Sequence, residues 1–290
     1  MAIEIKELTV QFRNKTTAIN QLNMTIGDGI YGLLGENGAG KTTLMRVLTT
    51  ILKPTSGQVV LNGIEMKEEN YGDIQKLIGY LPQELGLYPS LTVRESLEYI
   101  GGLGGVSKTD CKRQIDYYLE KTSLVSHQNK KNRQLSGGMK RRVGLIQAML
   151  HDPKILIVDE PTTGLDPEER IRIRNLLVDF SKDRTVLFST HVVEDLAATC
   201  NTLAILKKGK SIYDGKRSNL LNLTKYHVWN CLLKDEGEYD RLQKEYTVSS
   251  KQYTEDGIVT KIITEKKPNI KCSAVDISLE DAYIYMMNQS

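Results

Sequence analysis

Residues 35–42 read GENGAGKT and match G-x-x-x-x-G-K-[ST] at every fixed position. The apolar run Ile30–Leu34 ends directly before this octapeptide, and Thr42 to Leu52 has the composition of a helix. Strand, glycine-rich loop and helix in that order predict a phosphate cradle. Glycines let successive backbone N–H groups converge on oxygen atoms, and the helix N-terminus adds partial positive charge. Asn37, Gly38, Ala39 and Gly40 supply the loop, Lys41 an ammonium for terminal phosphates, and Thr42 and Thr43 hydroxyls beside it. The Thr42 hydroxyl is the expected Mg²⁺ ligand.

A magnesium-bound phosphate needs a second anchor, and KILIVDE at 154–160 offers one. It reads as a buried strand ending in Asp159, with Glu160 next. A carboxylate at the end of an apolar strand is costly unless it has a task. If the strand persists, neighbouring residues face opposite sides, so the two acids divide the work. Asp159 then serves the metal and Glu160 the attacking water. Further strand patterns at 185–190 and 203–209 alternate with a helical stretch from Pro167 to Phe180. Strand–helix alternation predicts an α/β core with a parallel sheet. A helical insertion spans about 91–150, with Thr92 and Glu95 as a capping box and GGLGG at 101–105 as a break.

After Lys216 the texture changes. HVWNCLL and IVTKIIT alternate like strands around a polar helix near 236–246, and SLEDAYIYMM opens with a capping box from Ser278 to Asp281. The expected division is residues 1–216 as the core domain and 217–290 as a small α+β appendage.

The sequence has 290 residues, 40% hydrophobic and 26% charged, with net charge +3, an ordinary globular mixture. The charge neither demands nor excludes a nucleic-acid partner. Basic runs at 130–133 and 140–142 are the one hint of such a partner, and a solvated helix face accounts for them as well. Cys111, Cys200, Cys231 and Cys272 are scattered without C-x-x-C spacing, so reduced thiols are expected. MAIEIKELTV lacks the apolar core of a signal peptide, and no stretch approaches the ~20 apolar residues of a membrane-spanning helix.

RQLSGGMKRR at 133–142 is a second place for an anion. Ser136 is a good N-cap, and Gly137 and Gly138 bare backbone N–H groups at a helix start. One chain cannot easily fold this site over its own phosphate loop if the helical insertion holds it aside. Two chains in head-to-tail rotation can.

GENGAGKTT, LSGGM, ILIVDE, TTGLDP and His191 occur in the order found in the ATP-binding cassette (ABC) ATPase family, which residues 1 to about 215 resemble. The resemblance implies a P-loop NTPase core with an N-terminal antiparallel β part and the helical insertion. It also implies ATP and Mg²⁺ as ligands and a second cassette, identical or homologous, as partner. Phe12 falls where the family stacks an aromatic on adenine, although a core phenylalanine is an alternative. Gln83 in GYLPQE resembles the glutamine that senses the metal site, and His191 the γ-phosphate contact. Asp166 resembles the acid that crosses the cassette interface, and it can also cap the helix from Pro167. Met139 departs from the commoner LSGGQ. LSGGM and the terminal SLED resemble exporter cassettes for drugs, peptides or lipids. That implies ATP hydrolysis coupled to a separate membrane permease, at the cytoplasmic face, with no nucleic-acid partner. The permease would dock around Gln83, Glu84, Leu85, Leu87 and Tyr88, unless these side chains pack inside the cassette. The competing expectation is a non-transport ABC ATPase acting on nucleic acid, ribosomes or iron–sulfur assembly.

Overall fold

A computed structural model describes residues 2–224, 227–265 and 267–289. They form two compact units, Met1–Ser211 and Ile212–Ser290.

The first unit opens with β1 (Ile3–Gln11), β2 (Thr17–Ile26), β3 (Gly29–Leu34), α1 (Lys41–Leu48), β4 (Ser56–Leu61) and β5 (Ile64–Glu65). It continues through α2 (Tyr71–Leu77), β6 (Ile78–Leu81), α3 (Val93–Leu103), α4 (Lys108–Lys121) and α5 (Gly137–Met149). Then come β7 (Ile155–Asp159), α6 (Pro167–Phe180), β8 (Thr185–Thr190), α7 (Val193–Thr199) and β9 (Thr202–Lys207). β10 (Lys210–Lys216) carries the chain across the boundary, and the division expected at 216 falls at its end.

An antiparallel sheet, β2–β1–β4–β5, forms one layer. β1 buries Ile3, Ile5, Leu8 and Val10, so its alternation slips by one residue between Ile5 and Leu8. A register shift lies there, and Glu7 at φ +49 takes up the additional residue as a bulge. The hairpin from β4 to β5 turns on Asn62 and Gly63, both at positive φ, as a two-residue primed turn requires.

A parallel run, β9–β3–β8–β7–β6, forms the central layer. All five residues of β7 are buried, as expected of a strand with a neighbour on each edge and helices on its faces. The phosphate loop leaves the C-terminal end of β3, and Asp159 and Ser189 sit side by side at the ends of β7 and β8. Ligand sites of open α/β sheets lie at this edge. The helical insertion consists of α3, α4 and α5. Thr92 and Glu95 form the reciprocal capping box at the start of α3. α5 approaches β6 so closely that a Cβ on Gly79 would lie 2.0 Å from the Ala148 carbonyl oxygen.

The second unit contains α8 (Arg217–Thr224), β11 (Val228–Leu233), α9 (Glu236–Glu245), β12 (Thr247–Thr254), β13 (Gly257–Ile263), β14 (Cys272–Ala274) and α10 (Leu279–Gln289). Its sheet order is β12–β13–β11–β14, around a core including Leu233, Leu242, Ile258 and Ile262. The expectation of reduced thiols fails here. Cys231 and Cys272 oppose each other across β11 and β14 and are joined as a disulfide, while Cys111 and Cys200 are buried thiols outside it. The partners are separated by 41 residues, so only strand register brings them together.

Candidate functional site

Gly40 precedes α1 with φ +109, and a Cβ there would lie 2.7 Å from the Ala18 carbonyl oxygen. Only glycine meets both conditions, which explains the fixed glycine before the lysine. Gly38 also has positive φ, and Asn37 and Gly38 are exposed at the loop tip, while Ala39 is buried behind it. Thr42 and Thr43 are half-buried in the first turn of α1. Lys41 is nearly buried, and its Nζ donates to the carbonyls of Gly35 at 2.5 Å and Glu36 at 3.1 Å. Burial lowers the Lys41 pKa, opposed by the nearby carboxylates of Glu160, Asp159 and Glu36. An ammonium held among backbone carbonyls beside a glycine loop is placed to receive phosphate oxygens.

Asp159 is fully buried. Its Oδ1 accepts a hydrogen bond from Ser189 Oγ at 2.5 Å, whereas Oδ2 has no partner. A buried carboxylate oxygen left bare points to a missing cation. Among the described residues no group of three or more His, Cys, Asp or Glu could hold a metal. A hard cation bound by one carboxylate, a threonine hydroxyl and the ligand's own phosphates fits this sparse donor set, as Mg²⁺ prefers. Thr42 and Asp159 would hold it.

Glu160 departs from expectation in one respect. β7 stops at Asp159, and Glu160 has φ +47, so a left-handed turn rather than strand alternation separates the two carboxylates. The Glu160 N–H donates to the carbonyl and the hydroxyl of Ser189, each at 3.1 Å. Its carboxylate meets three side chains. Oε1 lies 3.0 Å from His191 Nδ1, and Oε2 accepts from Thr163 Oγ1 at 3.1 Å and Gln83 Nε2 at 3.4 Å. Gln83 and His191, more than a hundred residues apart in the chain, thus converge on one carboxylate that is 6% exposed. A neutral imidazole has one N–H, so His191 can serve Glu160 or a phosphate oxygen, and both at once only as imidazolium.

The remaining sequence-derived positions lie apart from this cluster. Ser136 caps α5 by accepting from Met139 N at 3.2 Å, and Gly137 and Gly138 form the first turn behind it. Ser136 and Gly137 are exposed, and no hydrogen bond among the described residues joins them to residues 35–43 of the same chain. Asp166 caps α6, accepting from Glu169 N at 2.9 Å, and is also exposed. Phe12 is 41% exposed at the end of β1, which removes the core alternative. In the candidate docking loop Leu85 and Leu87 are half-buried, and Tyr88 is exposed with its ring edge-on to Tyr99.

Three contributors to this cluster, Ser189, Thr163 and Arg141, were not singled out from the sequence. Ser189 and Thr163 are hydroxyls whose role depends on which carboxylate they meet. Arg141 and Arg142 belong to the run read as a solvated basic face. That reading fails for them, because they are 6% and 7% exposed. The helix carrying them is covered on this side, so a basic run in the sequence does not become a basic surface.

A family model described as "ABC transporter" matches residues 19–163. An uncharacterized ABC transporter ATP-binding protein of Methanocaldococcus jannaschii, MJ1023, is 31% identical over 284 residues, 97% of this chain and 98% of that one. The Nod factor export ATP-binding protein I of Paraburkholderia xenovorans is 37% identical over 225 residues, covering 76% of this chain and 72% of its own length. Among solved structures, CbiO1 of Clostridium perfringens, described as part of the ABC transporter complex CbiONQ, superposes with a TM-score of 0.69 at 27% identity. It covers 76% of this chain and 90% of that chain.

Proposed function

The chain belongs to the ABC transporter family as one of its ATPase cassettes, and on that premise we propose that it powers export through a separate membrane permease. The observation carrying the hydrolytic part is the convergence of Gln83, Thr163 and His191 on Glu160, beside the bare Oδ2 of Asp159.

In this reading the loop from Asn37 to Thr43 holds the triphosphate, with Lys41 on its terminal phosphates. Phe12 offers its exposed ring to the adenine. Thr42 and Asp159, with Gln83 beside them, would hold Mg²⁺, which would supply charge neutralisation to the phosphates. Glu160 takes the proton of the attacking water, and Gln83 and Thr163 fix the direction its carboxylate faces. His191 moves its N–H from Glu160 to the γ-phosphate as the nucleotide arrives. Ser136, Gly137 and Gly138, idle toward their own loop, close on the nucleotide of a second cassette, with Asp166 beside them. A solvent-facing anion site on one chain and an open phosphate loop on another are complementary only in a head-to-tail pair.

Export is supported by the likeness to a protein named for Nod factor export and by the LSGGM and SLED segments. A cavity of about 390 Å³ lies between the loop at Pro82–Gly86 and helices α3 and α5, lined by Leu81, Leu85, Ile100, Leu103 and His151. Its apolar walls suit the docking of a permease helix. No helix among the described residues is long and apolar enough to cross a membrane, and in this reading the separate permease supplies the translocation path. The burial of Arg141 and Arg142 takes two charges from the surface a nucleic acid would need.

The test is co-purification from detergent-solubilised membranes. Recovery with a polytopic membrane protein supports the reading. Pelleting with ribosomes, or a DNA shift at physiological salt, with no membrane partner, would overturn it.

A further inference from the structure

Arg141 is among the most buried charged side chains of the first unit, and among the described residues no carboxylate forms an ion pair with its guanidinium. Its Nη1 donates to the carbonyls of Pro82 at 2.7 Å and Gln83 at 2.9 Å. Nη2 donates to the carbonyls of Glu160 at 2.8 Å and Asp159, and Nε to that of Pro161 at 3.3 Å. A guanidinium has five N–H groups in a rigid fork. All five are spent on backbone, two bonds on the segment carrying Gln83 and three on the segment carrying Glu160.

These segments come from different strand ends, after β6 and after β7, and the side chains of Gln83 and Glu160 meet at a long 3.4 Å hydrogen bond. The turn at Glu160 is itself improbable, since a non-glycine residue at φ +47 persists only where its surroundings fix it. Ser189 holds the N–H side of that residue, and Arg141 holds its carbonyl side. Without the guanidinium, the carbonyls of Pro82, Gln83, Asp159 and Pro161 would lose this donor and that of Glu160 would keep only the Thr163 N–H at 3.4 Å, and the two segments would lose their common anchor. Burial lowers the Arg141 pKa to about 10, with Asp159 and Glu160 opposing, so it stays charged at neutral pH.

We infer that Arg141 is a positioning residue: from helix α5 it clamps the Gln83 loop to the Glu160 turn and so sets the geometry of the base. This rests on the reading of Glu160 as the base. It also gives α5 two roles. The N-terminus of α5, at Ser136, faces the second cassette's nucleotide, and five residues on, about 7.5 Å along its axis, α5 holds the catalytic carboxylate of its own.

The test uses the full-length chain with Mg-ATP. Arg141→Lys keeps the charge and stem but cannot span both segments. Its kcat should fall about tenfold or more, as misplacement of a catalytic group predicts, while KM and the affinity for a fluorescent ATP analogue stay within about twofold. Arg141→Met should lose more. If the Met variant does not fold, the Lys variant decides. In a Glu160→Gln background, Arg141→Lys should cost little further turnover, because the group it positions is already gone. Wild-type kcat in folded Arg141→Lys, a loss expressed mainly in KM, or a full additive loss on top of Glu160→Gln would each overturn the inference. Normal turnover in Glu160→Gln alone would instead sink the assignment of the base, so the two failures are told apart.

Discussion

Two buried carboxylates, one in each unit, look alike by exposure and differ in every other respect. Asp281 is 2% exposed and fully satisfied. It accepts from Ser278 N and Oγ, Ser249 Oγ and Lys261 Nζ, all within 3.1 Å. Asp159 is wholly buried, and one of its oxygens has no partner. Its neighbour Glu160 is held by a histidine that is 42% exposed, by an exposed glutamine and by a threonine, all of which can be redirected by a ligand. A buried acid with every lone pair answered is a structural rivet; one left partly unanswered at the edge of a parallel sheet marks a site awaiting its ligand.

The contrast is sharpest in Glu160→Gln. Loss of a general base should lower turnover about 10²–10⁴-fold while ATP still binds. The unfolding midpoint should not fall, since the carboxylate is placed for chemistry rather than for stability. Near-normal turnover, or a collapse in stability, would erase the distinction between the two acids. The second unit should respond in the opposite currency. Its one tryptophan, Trp229 on β11, reports its unfolding. Cys231→Ser opens a link across 41 residues, worth about 3–4 kcal/mol by the loop-entropy estimate. The Trp229 transition should drop accordingly, and reductant should shift the wild type but not the variant.

Asp281→Asn should cost less, about 2 kcal/mol, by removing a charge from four donors. It should also change the acid response. Burial alone would raise the Asp281 pKa, but hydrogen bonds from Ser278, Lys261 and Ser249 outweigh it and hold the carboxyl below its ordinary value. Its stabilisation is therefore complete above the unfolded pKa of about 4 and fades as pH falls through the lower folded value. The Trp229 transition of the wild type should weaken in that window, and that of Asp281→Asn should be flatter. Equal acid sensitivity in both would mean that Asp281 is no rivet.

The two units were also unequally legible. In the first, the chemistry restricts residue type at fixed spacing. Gly40 must be glycine for its φ and for the Ala18 carbonyl, and the Asp159–Glu160 pair follows an apolar strand. The fold class followed from those segments. The clamp by Arg141 was hidden because a basic triplet reads as solvent-facing until the covering strands are in place. β6 was hidden by its four-residue length, and β12, TVSSKQYT, carries little apolar patterning. The disulfide depends on the register of β11 and β14, which no spacing encodes. Turn residues adjacent to a motif were equally silent: Thr163 gains meaning only when Glu160 swings toward it through its left-handed turn.

The central claim is that the two anion sites of this chain belong to different nucleotides. It is tested most directly by determining the structure of the Glu160→Gln protein with Mg-ATP and its membrane partner. The account predicts each triphosphate between Lys41 of one cassette and the Ser136 end of α5 from the other. Triphosphate bound at Lys41 with every Ser136 remote from it would contradict the account.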